Sequence, residues 1–225
     1  MPEFIFMLTR DDRTVANALA AYDELGDAPL RYVGFKDVGQ PAAVLRDLAS
    51  RIRADGRIPV LEVVSIDRDS EVRSVRIGLS IGVEILMGGT HPDLVVPLLR
   101  GSGLRYFPFP GRVVGHPSSL LGSVDEIAES AGRLSSIPGV GGLDLLAYRH
   151  DGEVPDLIGK VVAASKRPVV VAGSIDRPER IQTVSRSGAW GFTVGGAVFD
   201  RSFSPGGSLR SQIDEILRHA DETAT

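Results

Sequence analysis

Two charged residues stand in stretches that are otherwise apolar. Lys36 ends the run Arg31 to Lys36, and Glu62 sits inside Ile58 to Val64. Side chains alternate along an extended strand, so Tyr32, Gly34 and Lys36 share one face, and Val60, Glu62 and Val64 share one face of the next run. If both faces turn into one interior, an ammonium and a carboxylate meet in a low-dielectric space. There a carboxylate can serve as a proton-abstracting base. A lysine beside it can be an electrophile, an acid or, once desolvated, a Schiff-base amine. A structural ion pair filling a layer of packed side chains is the alternative.

A second constellation lies between Pro168 and Asp200. Val169 to Ala172 is a continuous apolar run of the kind buried on both faces of a parallel sheet, and it stops at Gly173-Ser174. A helix is expected next, with Asp176 as N-cap, Pro178 in its first turn and Glu179 three residues after the cap. Gly188 closes it, Trp190 to Val194 form another strand, and that strand ends in Gly195-Gly196-Ala197. Glycines at two successive strand ends bring several backbone N–H groups close to one spot without side chains in the way. The expected ligand is a phosphate held by Gly173, Ser174, Gly195 and Gly196; tight turns alone are the alternative.

Other residues carry weaker signals. Asp11, next to Asp12, follows the first strand and is a candidate second acid or base, with Arg10 beside it as a substrate contact. The long loop Phe109 to Gly122 contains Arg112 and His116, and its length suits a lid whose guanidinium closes over a second anionic group. Tyr148 and Arg149 end the sixth strand and could grip a carboxylate or a second phosphate. Asp144 falls early in that strand, away from the expected mouth, where a structural role is expected. His91 and His116 lack metal-ligand spacing, so no metal is expected, and no cofactor is required.

These residues need elements to hold them. Strand starts at 4, 31, 58, 83, 104, 143, 168 and 190 alternate with helical patterns at intervals of 21 to 39 residues. Helix one is expected from Thr14, a helix from Ser123 opens with the capping-box spacing to Glu126, and the last helix is expected from Ser208 to His219. The tail Asp221 to Thr225 is expected to fray. Eight βα units in strict alternation imply a parallel sheet with right-handed crossovers, and eight can close into a (β/α)8 TIM barrel. No composition shift marks a boundary, so residues 1–225 are expected to form one α/β domain. An open dinucleotide-binding sheet has no glycine fingerprint after its first strand.

Composition narrows the partners. The 225 residues carry a formal net charge of -4, with 43% hydrophobic and 24% charged residues and no cysteine. That balance gives no nucleic-acid footprint, and the absence of cysteine excludes disulfides and thiolate chemistry. The first apolar run is too short to span a bilayer and has no signal-peptide flank, so a cytoplasmic protein without membrane attachment is expected. Outer barrel helices could pair two copies into a homodimer.

The sequence also resembles a known group. The phrases VVVAGSI around Gly173-Ser174 and FTVGGAVF around Gly195-Gly196 are similar to those of the ribulose-phosphate-binding superfamily of TIM barrels. LTRDDRT, GFKDVG, LMGGT, FPFPGR and LLAYR resemble a HisA-like branch of it. The resemblance implies the barrel fold and a phosphorylated ligand. It does not transfer an active site. A HisA-type isomerase would have acids at the ends of strands one and five, where this chain has Leu8-Thr9-Arg10 and Phe107-Pro108, with Asp11 as a stand-in for the first. The metal set of the epimerases and the D-x-K-x-x-D of the decarboxylases are missing.

The expected function is therefore turnover of a small phosphorylated sugar or related metabolite by a cofactor-independent isomerase or epimerase, through proton transfer beside a carbonyl. In that scheme Glu62 takes the proton and Lys36 stabilises the enolate oxygen. A Schiff-base aldolase or synthase using Lys36 and a non-catalytic phosphometabolite-binding regulator are the alternatives.

Overall fold

The computed structural model describes residues 1–222. Eight parallel strands form one sheet: β1 (Glu3–Met7), β2 (Tyr32–Lys36), β3 (Ile58–Val63), β4 (Ile85–Gly88), β5 (Arg105–Phe107), β6 (Leu143–Leu145), β7 (Val169–Val171) and β8 (Gly191–Val194). Their order is β6-β7-β8-β1-β2-β3-β4-β5. The remaining seam is closed by a single parallel bridge, Tyr106 with Val140, and by the Asp144 amide donating to Pro108 O at 3.1 Å. The sheet is thus a TIM barrel with a thin join between β5 and β6.

Alternation along the strands sorts side chains into two cores. Outward residues such as Phe4, Phe6, Val33, Phe35, Leu61, Leu143, Leu145, Phe192 and Val194 pack in the layer shared with the helices. Inward residues Ile5, Met7, Tyr32, Val60, Ile85, Met87, Phe107 and Val170 fill the barrel. At the N-terminal end of the barrel Trp190 packs against Tyr32 and Phe107, with ring centroids 5.5 and 6.0 Å apart, and the Arg105 guanidinium covers Trp190 and Phe107. The aromatic plug leaves the other end for polar inward residues. By the same alternation Lys36, Glu62, Asp144 and Thr193 point into the barrel.

Helices enclose the sheet: α1 (Ala18–Asp23), α2 (Ala42–Ala54), α3 (Arg68–Ile81), α4 (Pro92–Leu99), α5 (Val124–Leu134), α6 (Val154–Ala164), α7 (Pro178–Arg186), the short α8 (Gly196–Phe199) and α9 (Leu209–Asp221). The capping box at the start of α5 is complete, with Ser123 accepting from the Glu126 amide and Glu126 from the Ser123 amide. Gly82 ends α3 in the left-handed conformation, and Ser208 caps α9. The expected fray of the tail falls partly on α9, where Asp221 is helical, and partly on residues 223–225, outside the described residues.

Four sequence expectations need correction. Thr14 does not open a helix. Thr9–Arg10 and Arg13–Thr14 form a small antiparallel hairpin, and Asp11 and Asp12 turn its tip with φ of 50° and 58°. Two successive positive-φ residues make the tight turn that suits a two-residue hairpin, a conformation aspartate tolerates better than most side chains. Thr14 then spans to β2, its hydroxyl donating to Lys36 O and accepting from the Lys36 amide, both at 2.8 Å. At α7 the N-cap position belongs to Arg177, not Asp176, and it has no side-chain cap. Pro178 at N1 has no N–H to satisfy, so the start slides one residue, and Asp176 instead binds the guanidinium groups of Arg177 and Arg180. The Phe109 to Gly122 segment is largely a hairpin, Arg112–Val114 against Ser119–Leu121, rather than an irregular loop. Strand β6 stops at Leu145 and a 3-10 turn covers Ala147–Arg149, so Asp144 is the middle of a three-residue strand rather than an early position in a longer one.

Candidate functional site

A cavity of about 510 Å³ opens at the C-terminal ends of the strands. That is the end where the loops of this fold carry chemistry. One wall of the cavity is glycine. Gly173 (φ 83°) and Ser174 (φ 53°) leave β7 in two consecutive left-handed conformations, a path that is uncommon for serine. Gly195 and Gly196 leave β8 on the adjacent strand. No hydrogen bond runs from the amides of Gly173, Ser174, Gly195 or Gly196 to an acceptor among the described residues. A Cβ at Gly173 would lie 2.6 Å from Arg149 Cγ, and one at Gly195 would lie 2.6 Å from Thr9 Oγ1, so both glycines are required by packing. A Cβ at Gly196 would meet nothing closer than Asp200 Oδ2 at 4.0 Å. Its free side faces open cavity.

The opposite wall is ionic. Lys36 and Glu62 are register partners on β2 and β3, and Lys36 Nζ lies 3.2 Å from Glu62 Oε1 and 2.7 Å from Asp12 Oδ1. Lys36 is 6% exposed, Asp12 6% and Glu62 3%. Asp12 also accepts from Arg149 Nη2 at 3.2 Å and from the Ser118 amide at 2.7 Å, and Arg149 Nη1 donates to Ser118 O at 3.1 Å. The hairpin turn, the 3-10 turn after β6 and the tip of the second hairpin are therefore tied together across the cavity. At the rim Arg10 pairs with Asp200 at 2.6 Å.

The proton affinities follow from these contacts. For Lys36, burial disfavours the charged form, but Glu62 and Asp12 together outweigh it and hold the ammonium charged. For Asp12, burial pushes upward, yet Lys36, Arg149 and the Ser118 amide pull the carboxyl down to about 2. Glu62 goes the other way: burial raises it, Lys36 opposes, and the nearby Asp12 charge adds to the rise. The asymmetry arises because Lys36 faces two carboxylates while Glu62 has one cation in contact and a like charge beside it. The site thus holds a firmly charged ammonium next to a carboxylate of raised basicity.

Of the residues singled out from sequence, Arg10, Asp11, Lys36, Glu62, Arg149, Gly173, Ser174, Gly195 and Gly196 line this one cavity. Arg112, His116 and Tyr148 do not. Arg112 is exposed on the second hairpin, where its charge acts on Glu126 of the α5 cap, and His116 is exposed before the cavity-lining Pro117. Tyr148 lies under the Arg180 guanidinium, 4.7 Å from ring centroid to Cζ, with its hydroxyl on Arg180 O at 3.3 Å. Asp11 is exposed at the hairpin tip, whereas its neighbour Asp12 reaches the ion cluster. The expected second acid at Asp11 thus falls instead on its neighbour Asp12. Only the hairpin, signalled by Thr-Arg-Asp-Asp-Arg-Thr between two β-compatible threonines, separates them. Among the described residues no group of three or more His, Asp or Glu side chains is arranged to hold a metal ion, and no helix is long and apolar enough to cross a membrane.

No protein-family model matches the chain, and no curated protein matches it. Solved structures do. The chain is similar to orotidine 5'-phosphate decarboxylase from Pyrococcus horikoshii OT3, with 13% identity and a TM-score of 0.69 over 97% of this chain and 99% of that one. It is similar to the dimeric phosphoribosylanthranilate isomerase from Thermotoga maritima, in a structure of monomers generated from it, with 12% identity, a TM-score of 0.67 and coverage of 99% and 100%. An N-acetylmannosamine-6-phosphate 2-epimerase from Clostridium perfringens matches with 13% identity, a TM-score of 0.62 and coverage of 87% and 86%. At such identities the likeness establishes the TIM-barrel fold. The named neighbours are enzymes of phosphorylated metabolites with different reactions.

Proposed function

We propose that this protein is an enzyme that turns over a small phosphorylated sugar or related phosphometabolite, as a cofactor-independent isomerase or epimerase acting by proton transfer next to a carbonyl. The observation that carries this is the pairing, within one cavity, of a glycine wall with unengaged amides and a buried base held against a fixed cation. The phosphate is bound by the amides of Gly173, Ser174, Gly195 and Gly196. Glu62 removes the proton from the carbon beside the carbonyl, the C–H electron pair becomes the enolate, and the Lys36 ammonium stabilises the oxygen where charge develops. For an isomerisation Glu62 then delivers the proton to the former carbonyl carbon while the neighbouring hydroxyl proton passes to the enolate oxygen. For an epimerisation the same carbon takes a proton from solvent on its opposite face and Glu62 releases its own to water. The raised basicity of Glu62 brings its proton affinity closer to the working pH, and the clamp of Asp12 keeps Lys36 positively charged through the cycle. The HisA-like branch of the ribulose-phosphate-binding barrels and a homodimer paired through outer helices belong to the same proposal, with the phosphometabolite neighbours as support.

One observation favours a second reading. Lys36 Nζ borders the cavity 3.2 Å from a carboxylate whose proton affinity is raised, so Glu62 can accept the ammonium proton and leave a neutral amine to attack a carbonyl with loss of water. That step must first undo the double ion pair, and for this reason proton transfer is preferred. The test is a panel of phosphorylated sugars in deuterated water, followed by NMR, with borohydride added in parallel. Deuterium incorporation that Glu62→Gln abolishes, without reductive labelling of Lys36, supports the isomerase. Labelling of Lys36 refutes it in favour of the Schiff-base enzyme. Phosphate-dependent binding without exchange or labelling leaves the protein a binding regulator.

A further inference from the structure

The barrel holds one more acid that the mechanism above does not use. Asp144 is 0% exposed, and neither of its carboxylate oxygens has a hydrogen-bond partner among the described residues. Its neighbours Leu143 and Leu145 face the helices, so Asp144 faces the interior, the space that Glu62 and Lys36 also enter. An ionised carboxylate with no donor in such a place carries an uncompensated desolvation cost. The surrounding charges do not relieve it. Among Asp12, Glu62, Lys36 and Arg149 there are two carboxylates and two cations, so the ion cluster is already balanced.

We propose that Asp144 and Glu62 together hold one proton in the resting protein, with Asp144 as its carrier and Glu62 as the ionised partner. The division follows from their contacts, since Glu62 has the Lys36 ammonium at 3.2 Å and Asp144 has no donor. Burial and the Glu62 charge both push the Asp144 proton affinity up, against the smaller opposing pull of Lys36, and Asp12 adds to the rise. The strands packed against β6 bring no rescue. Strand β7 (Val169–Val171) and strand β4 (Ile85–Gly88) have no titratable residue, Arg105 of β5 lies over Phe107 and Trp190, and the Tyr106 hydroxyl is under the influence of Glu71. Asp144 is thus a positioning residue that acts through Glu62. While it keeps its proton, the cluster stays neutral. Once it ionises, the barrel interior gains a negative charge that opposes an anionic ligand in the adjoining cavity. The catalytic consequence rests on the reading of Glu62 as the base; the shared proton itself does not.

The experiment is carboxyl-carbon NMR of the full chain labelled at Asp and Glu, titrated without substrate, with Asp144→Asn and Glu62→Gln used to assign the signals. At neutral pH the Asp144 carbon is expected at the protonated position and the Glu62 carbon at the ionised one. In Glu62→Gln the Asp144 midpoint should fall by about one pH unit or more, the size at which two sites titrate as a pair. Asp144→Asn, which mimics the protonated acid, should leave Glu62 ionised and remove the high-pH loss of inorganic phosphate binding. Two ionised carbons at neutral pH, or an Asp144 midpoint indifferent to Glu62→Gln, would overturn the proposal. Should Asp144→Asn fail to fold, the wild-type titration and the Glu62→Gln shift still decide it. If no phosphorylated sugar is turned over while the carbons behave as expected, only the enzymatic reading falls.

Discussion

Replacing Gly196 by aspartate tests the phosphate wall at its least encumbered point. Gly196 lies outside the left-handed region of backbone space, and a Cβ there would have only Asp200 Oδ2 at 4.0 Å as a neighbour. The substitution therefore adds bulk and charge to the cavity without forcing the barrel to shift. By contrast, a side chain at Gly195 would collide with Thr9, so a loss of binding there would be confounded by a damaged fold. The magnitude follows from Coulomb's law. With the new carboxylate ~6 Å from the phosphorus and an effective dielectric constant of ~40 for a site open to water, each phosphate charge costs about 1.4 kcal/mol. A phosphate monoester carries roughly 1.5 to 2 such charges, giving about 2–3 kcal/mol and an affinity lower by roughly 30- to 100-fold. Arg10 offers no cheap rescue, because Asp200 already holds it at 2.6 Å. Gly196→Ala adds no charge and should lose much less. Calorimetry with inorganic phosphate and a sugar phosphate gives the affinities, and thermal unfolding checks that the variant is folded. Undiminished binding by a folded Gly196→Asp protein would refute the placement of the anion.

Two further outcomes follow from the ion cluster. The Asp12 carboxyl titrates at about 2 in the folded protein against 3.8 in its absence, so its stabilisation is present above pH ~4 and is lost as pH falls through about 2. Urea unfolding should show Asp12→Asn less stable than wild type by about 2 kcal/mol near neutral pH, with the gap narrowing on acidification; a gap that is constant with pH counts against the depressed carboxyl. Arg149 ties the tip of the second hairpin to the first through Ser118 O and Asp12. Arg149→Ala should speed amide exchange in residues 112–121 by roughly tenfold, while α3 is unaffected, as expected for loss of charge-assisted hydrogen bonds worth about 1.5 kcal/mol. Equal exchange in both proteins would show that the hairpin is held by its own packing.

Much of this architecture was legible in the chain because it rests on short-range rules. Apolar strand runs alternate with helical patterns eight times, and the fold class follows from that alternation. The strand ends Gly173-Ser174 and Gly195-Gly196 were readable for the same reason, since strand ends in a parallel barrel converge on one face whatever the details of packing. The convergence of Lys36 and Glu62 was also within reach, because both are odd charges on apolar strands that the βα order makes neighbours. The rest depends on contacts across large sequence distances. Asp12 rather than Asp11 enters the cluster because two positive-φ residues turn a hairpin ahead of the expected helix start at Thr14, and a one-residue change of position exchanges interior for solvent. Arg149 joins Asp12 across 137 positions in sequence, a pairing that only barrel closure creates. Asp144 is the sharpest case. Its sequence context says only that a polar residue interrupts an apolar strand; its complete burial, its lack of a donor and its nearness to the Glu62 charge arise from how eight strands curve around one small interior.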